Sequence, residues 1–174
     1  MRALGPGSIS SVLKLMLNVA YGVLWGVAGL LALVTLAAVL FILNPEILGG
    51  VTLQVSGATI GPQSPMIAAS LLAALLYAGG VLLIVGELRR IFTTLTLGDP
   101  FHPDNVRRLR LIGVTLALLE IGRYAFSTAT AAWLSSAEPG GWSLTAAFSV
   151  LVVFVLAEVF REGARLRREA ELTI

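Results

Sequence analysis

Two residues of opposite charge, Glu120 and Arg123, interrupt an otherwise uncharged, mainly apolar run from Leu111 to Trp133. A spacing of three puts both side chains on one face of a helix, where each offsets the cost of removing the other from water. Such a pair can bind an ion or a small ligand, or relay protons. It can equally be a self-neutralising pair that fixes helix packing. The second interpretation is favoured, because no other acidic residue is expected beside the pair to accept a proton.

Two further carboxylates, Glu87 and Glu158, stand at the ends of other long apolar runs. They are expected to reach the same boundary, near Arg89 and Arg161. Two carboxylates at one level can coordinate a cation together. Solvated or ion-paired boundary residues are the simpler interpretation, and it is favoured here.

Several kinds of chemistry are excluded by residue type. The chain has no Cys and one His, His102, so it offers no thiolate ligands, no cysteine nucleophile and no catalytic triad. It also has no phosphate-binding glycine loop and no metal-binding motif. We therefore expect no enzyme, no catalytic residue, no metal and no cofactor.

The composition indicates the solvent in which these residues lie. Hydrophobic residues make up 57% of the 174 residues, charged residues only 13%, and the mean hydropathy is +0.91. Soluble domains carry roughly 25% charged residues, so this chain has too few polar residues to cover a surface that faces water. The composition predicts an all-α integral membrane protein with the lipid bilayer as a partner.

Four stretches are long and apolar enough to cross a bilayer, which takes about 20 residues. The first is too long for the roughly 7–15-residue apolar core of a signal peptide, so we expect it to be retained. The fold class that follows is a bundle of four transmembrane helices in a single domain over residues 1–174, with spans at about 17–43, 66–85, 111–134 and 144–160.

The basic residues orient this bundle. Eleven of the twelve Lys and Arg residues lie before the first span, between the second and third, or after the fourth, whereas segments 44–65 and 135–143 contain none. Because cytoplasmic loops retain basic residues, both termini, the loop 86–110 and the tail 161–174 are predicted to be cytoplasmic. The pI of about 9.5 is then a consequence of orientation, and no direct contact with nucleic acid is expected.

The predicted outer loop between the first two spans carries a weak strand signal. Val51, Leu53 and Val55 alternate with polar residues, and Ser56-Gly57 suits a two-residue turn. We expect a small extracytoplasmic β-hairpin here. It is either a sensing cap or lid over the bundle or a plain connector, and the connector is favoured.

The first span contains closely spaced small residues. Gly22 and Gly26 form a Gly-xxx-Gly pattern, and Gly29 lies a further turn along. Small residues let helices approach closely in lipid. The pattern predicts either a homo-oligomer face or packing against the second or fourth span, and both remain open.

The cytoplasmic loop contains helix-end signals. Gly98 is placed just after a helix, where positive φ is easily adopted, and Pro103 suits the first position of the next helix. The helix of the second span is expected to continue past the membrane because apolar residues recur at helical spacing at Leu88, Ile91, Phe92 and Leu95.

The same loop and the end of the chain resemble a bacterial integral membrane family catalogued as domain of unknown function 2975. Ala170 departs from the acidic, Asn-containing stretch that is more usual there. The residues that carry the resemblance are Gly98-Asp99-Pro100-Phe101, Asn105, Arg108-Leu109-Arg110, Ile112-Gly113, Val159-Phe160, Gly163, Leu166, Glu169 and Glu171-Leu172-Thr173-Ile174.

The resemblance implies a small four-helix protein of the bacterial cytoplasmic (inner) membrane, with no established activity. Genes of this family commonly lie beside one for a helix-turn-helix regulator, which implies a cytosolic transcriptional regulator as partner. Phe101 is either an exposed anchor for a partner or a staple, a side chain that packs into the cytoplasmic end of the bundle, and the staple is favoured. The candidate contacts with such a partner are Asp99, Pro100, Phe101, Asn105, Leu172, Thr173 and Ile174.

The sequence therefore predicts a non-enzymatic regulatory or interaction protein that works with a cytosolic partner. The alternative is a small oligomeric transporter or channel that uses Glu120 and Arg123.

Overall fold

The computed structural model describes residues 9–44, 53–55, 58–60, 64–98, 101–133 and 140–172. Four long helices dominate, as predicted. In chain order the elements are α1 (Ile9–Leu43), β1 (Leu53–Val55), β2 (Ala58–Ile60), α2 (Pro65–Thr96), α3 (Pro103–Trp133) and α4 (Leu144–Glu171).

Three of the helices are long and apolar enough to cross a membrane. They have mean hydropathies of 2.7, 2.3 and 2.0 over Val12–Leu43, Pro65–Thr96 and Leu144–Ala170. Only 11%, 6% and 6% of their most apolar windows are buried within the protein, so most of these side chains keep part of their surface exposed. Apolar surface on this scale requires an apolar environment.

The remaining helix, α3, does not reach the same mean hydropathy. Its first turns carry Asp104 and three arginines, and its middle carries Glu120 and Arg123. The expectation of four apolar spans is therefore supported for three helices, and α3 differs because of these charges.

Several helix ends agree with the predictions. α1 ends at Leu43, α3 begins at Pro103 and α4 begins at Leu144. Gly98 has a φ of +83°, a conformation that side chains with a Cβ rarely adopt, and its N–H donates to Leu95 O after the end of α2. The predicted continuation of the second helix is confirmed, since α2 extends to Thr96.

The residues of the chain form two compact units, each held together by its own internal contacts. The first unit contains Met1–Val23, Gly80–Glu120 and Ser143–Ile174. The second contains Leu24–Gly79 and Ile121–Trp142.

The first unit has a small apolar core where α2, α3 and α4 meet. Glycine permits a close approach at one point, because a Cβ on Gly113 would lie 3.1 Å from the ring of Phe154. The buried residues are Ile91, Leu109, Ile112 and Ala157, and Ile84, Leu88, Leu95, Leu116, Val153 and Phe160 pack against them.

The second unit contains the strands and the end of α3. β1 and β2 pair antiparallel, with Leu53 opposite Ile60 and Val55 opposite Ala58. The turn residues Ser56 and Gly57 lie outside the described residues. The extracytoplasmic position of this pair stays a prediction.

The face of α1 that is turned inward is not the glycine face. Along α1 the more buried side chains recur at alternating intervals of four and three residues. This is the spacing by which two helices pack along a common seam. The seam residues are Leu17, Tyr21, Leu24, Ala28, Leu31, Thr35, Ala38 and Ile42.

The glycines of α1 lie away from this seam. A Cβ built on Gly22, Gly26 or Gly29 meets nothing within 4 Å in the described part of the chain. The observed rotation of α1 therefore gives no support to packing of these residues against another helix of the same chain. The homo-oligomer alternative stays a prediction.

Candidate functional site

The buried carboxylate Glu87 joins α2 to the start of α3 in the first unit. Its Oε1 lies 2.6 Å from Nη1 of Arg90, one turn along α2, and its Oε2 lies 3.8 Å from Nε of Arg108 on α3. A polar cavity of about 320 Å³ opens beside it, to which Asp104 and Arg107 also contribute. Two arginines thus neutralise the buried carboxylate.

The hydrogen-bonded chain continues through Asn105, which has no exposed surface. Its Nδ2 donates to Oγ1 of Thr94 at 2.8 Å, and its Oδ1 accepts from Nη1 of Arg108 at 3.4 Å. The Thr94 hydroxyl donates to Ile91 O at 2.7 Å. The prediction of Asn105 as a partner contact is wrong, because its amide is enclosed between α2 and α3.

Phe101 packs against α4. Its ring centroid lies 5.7 Å from that of Phe160, at 54°. A Cβ on Gly163 would lie 2.5 Å from Cδ1 and Cε1 of Phe101, so glycine leaves the space that the ring occupies. Phe101 remains 37% exposed. The connection between α2 and α3 is thereby attached to α4, as expected of a staple.

The two predicted boundary carboxylates have different surroundings. Glu87 is buried within the α2–α3 network, whereas Glu158 is exposed on α4 and pairs with Arg161 one turn along. Each carboxylate is therefore ion-paired. Among the described residues no group of three His, Cys, Asp or Glu side chains could hold a metal ion.

Glu120 is buried and reaches the beginning of α4. Its Oε1 accepts from the backbone N–H of Ser143 at 3.2 Å. The Ser143 hydroxyl in turn accepts from Ala146 N at 3.2 Å and caps α4. A carboxylate at a helix N-terminus compensates the unpaired N–H groups there. Glu120 thus attaches α3 to the start of α4.

Arg123, in the second unit, binds the connection that leads to α4. Its Nη2 donates to Gly141 O at 3.1 Å. Nearby, Tyr124 and Trp142 form an edge contact with ring centroids 5.9 Å apart. These contacts hold Gly141 and Trp142 against the second half of α3. The direct pairing of Arg123 with Glu120 stays a prediction.

Of the remaining candidates, only Leu172 falls within the described residues, where it follows α4 with 87% of its surface exposed. Asp99, Pro100, Thr173 and Ile174 lie outside them.

Sequence reasoning missed several partners in these contacts: Thr94, Arg108, Gly163 and Ser143. Ser143 had a usable signal, since a serine directly before an apolar helical run favours the N-cap. Thr94 and Gly163 had none, because their role depends on which residues of another helix lie opposite them.

A family model described as a protein of unknown function (DUF2975) matches residues 52–174. No curated protein and no solved structure matches the chain. The matched segment contains α2, α3, α4 and the polar network that joins them.

Proposed function

The chain belongs to the family of proteins of unknown function called DUF2975, and on that premise we propose that it is a non-enzymatic regulatory or interaction protein of the bacterial inner membrane. Its partner is a cytosolic protein, such as a helix-turn-helix transcriptional regulator. The surface that contacts the partner is the extension of α4 beyond the apolar residues, from Arg161 to Leu172, together with the exposed edge of Phe101.

The charge balance of this extension carries the proposal. From Arg161 to Leu172 the chain has four arginines and three glutamates. Arg165 lies 2.6 Å from Glu162 Oε1 and its Nε lies 3.5 Å from Glu169 Oε1. A segment that binds anionic lipid needs a large excess of positive charge, whereas glutamates offset all but one of the arginines here. Exposed Leu166 and Leu172 beside nearly balanced charges are better suited to a protein surface.

The proposed topology has four spans, with α3 as the least apolar. The middle part of α3 supports this, because its exposed side chains between Leu111 and Ile121 are Leu111, Val114, Leu118 and Ile121. Its two central charged residues have hydrogen-bond partners before α4: Glu120 accepts from Ser143 N, and Arg123 donates to Gly141 O. These hydrogen bonds lower the free-energy cost of placing the two charges in lipid. Both termini are cytoplasmic, and the β1–β2 pair is outside.

Site-specific crosslinking tests the proposed partner. A photo-crosslinking amino acid at Leu166 or Leu172 is expected to capture a cytosolic helix-turn-helix regulator in native membranes, identified by mass spectrometry. The same group at Leu33, exposed in the apolar part of α1, is the control and is expected to capture lipid or membrane proteins only. The proposal fails if Leu166 and Leu172 capture no regulator, or if Leu33 captures it equally well.

A second candidate function, transport by an oligomer, is supported by one observation: Glu120 is a buried carboxylate in a helix proposed to cross the membrane. Its contact with Ser143 provides a structural reason for that burial. Interaction with a cytosolic partner is therefore preferred.

A further inference from the structure

A cationic cavity lies between the beginning of α1 and the end of α2, within the first unit. Its volume is about 360 Å³. The polar side chains that line it are Lys14, Asn18, Tyr21, Arg89, Arg90 and Thr93.

The charges in this cavity are unbalanced. Three cations line it and no carboxylate does. In the described part of the chain, neither Lys14 nor Arg89 has a carboxylate partner, and only Arg90 is paired, with Glu87. Cations that share a cavity repel each other, and a bound anion would turn this repulsion into attraction.

Arg89 is held in position for such an anion. Its Nε donates to Oδ1 of Asn18 at 2.7 Å, and its guanidinium carbon lies 4.3 Å from the centre of the Tyr21 ring. These contacts fix the plane of the guanidinium and leave its two Nη groups for a ligand. A planar guanidinium with paired N–H groups matches the oxygens of a phosphate.

The cavity lies where two apolar stretches end. α1 has no charged residue from Leu15 to Leu43, and α2 has none from Pro65 to Gly86. Lys14 and Arg89 therefore mark the same boundary of two spans, at the depth of lipid headgroups.

We propose that this cavity binds a phosphate oxyanion, with Lys14 and the Nη groups of Arg89 as its main donors. Anionic phospholipid headgroups and soluble phosphates share this chemistry, and the position at the span ends favours the headgroup. The proposal is independent of the partner of α4, so either can fail without the other.

Binding is tested on the full chain in a neutral detergent, with phosphatidylglycerol as the lipid probe and bound lipid counted by native mass spectrometry. The double variant Lys14→Gln/Arg89→Gln is expected to need at least about tenfold more lipid for half-saturation, equivalent to about 1.4 kcal/mol. The control Arg110→Gln/Arg168→Gln removes the same charge from exposed residues outside this cavity and the one beside Glu87, and it is expected to bind as the wild type does.

A second arm separates the two sources of phosphate. Sodium phosphate is titrated at constant ionic strength while thermal unfolding is followed by circular dichroism. Stabilisation by phosphate without lipid binding assigns the site to a soluble phosphate. If the double variant does not fold, Lys14→Gln alone serves, because Lys14 is exposed. Equal loss in the control variant, or no response to either probe, overturns the proposal.

Discussion

At the scale of single residues, buried polar groups connect consecutive helices. Glu87 and Asn105 join α2 to α3, and Glu120 joins α3 to α4. Among the described residues, every buried side-chain nitrogen or oxygen has a hydrogen-bond partner. An unsatisfied polar group costs several kcal/mol in lipid, so such contacts specify which helices pack together.

Gly163 is predicted to be required for the packing of the Phe101 ring against α4. Gly163→Ala places a Cβ against the ring and should destabilise the protein by about 1–3 kcal/mol, as overpacking does. The measurement is thermal unfolding in detergent, and Gly122→Ala is the control, because a Cβ there meets nothing within 4 Å. The effect should vanish when Phe101→Ala is already present. An equal loss in both backgrounds would contradict the role assigned to Phe101.

Glu120 is predicted to stabilise the start of α4 through its acceptor oxygen. Glu120→Gln keeps an oxygen for the Ser143 N–H and should unfold close to the wild type. Glu120→Ala should lose about 1–3 kcal/mol, because the partly buried N–H of Ser143 loses its acceptor.

The same variants test transport. Proton flux into vesicles containing a pH-sensitive dye should be equal for wild type, Glu120→Gln and protein-free vesicles. A flux present in the wild type and absent in Glu120→Gln would favour the transporter function instead.

At the scale of elements, α1 has two distinct faces. The seam from Leu17 to Ile42 is turned inward, whereas Gly22, Gly26 and Gly29 face open space among the described residues. A larger side chain should therefore be costly on one face and tolerated on the other.

Ala28→Leu and Gly26→Leu make this comparison within one helix. Ala28→Leu adds volume at a buried seam position and should lower the thermal midpoint of unfolding. Gly26→Leu should leave the midpoint of the monomer unchanged. If Gly26→Leu also reduces association between copies in membranes, measured by crosslinking, the glycines form the homo-oligomer face. A loss of monomer stability for Gly26→Leu as large as that for Ala28→Leu would contradict the assignment of the faces.

At the scale of the whole molecule, the outward apolar surface of α1, α2 and α4 determines the environment, and the basic residues determine the proposed orientation. Because the chain has no Cys, single cysteines can report on that orientation without background.

Labelling with a membrane-impermeant maleimide should distinguish the two sides. Thr59→Cys, in β2, should react in intact spheroplasts, and Leu172→Cys, after α4, should react only in inverted vesicles. Both should react after detergent is added, which controls for access. Reaction of Leu172→Cys in spheroplasts would overturn the proposed topology.

The sequence by itself determined the four helices, several of their ends and the need for a membrane. These features depend on local properties: runs of apolar residues, the positive φ of Gly98, and the fixed φ of Pro103. Residues on one chain segment suffice to predict them.

Only the tertiary structure decided what each polar or small residue faces. Asn105 was expected on the surface and is buried, Glu87 and Glu158 were expected at one boundary and differ in burial, and the glycines of α1 were open between two roles. The physical reason is helix rotation, since each residue turns the side chain by about 100° around the axis. In a chain this apolar, hydropathy barely distinguishes one face from another, so contact with neighbouring helices determines the rotation.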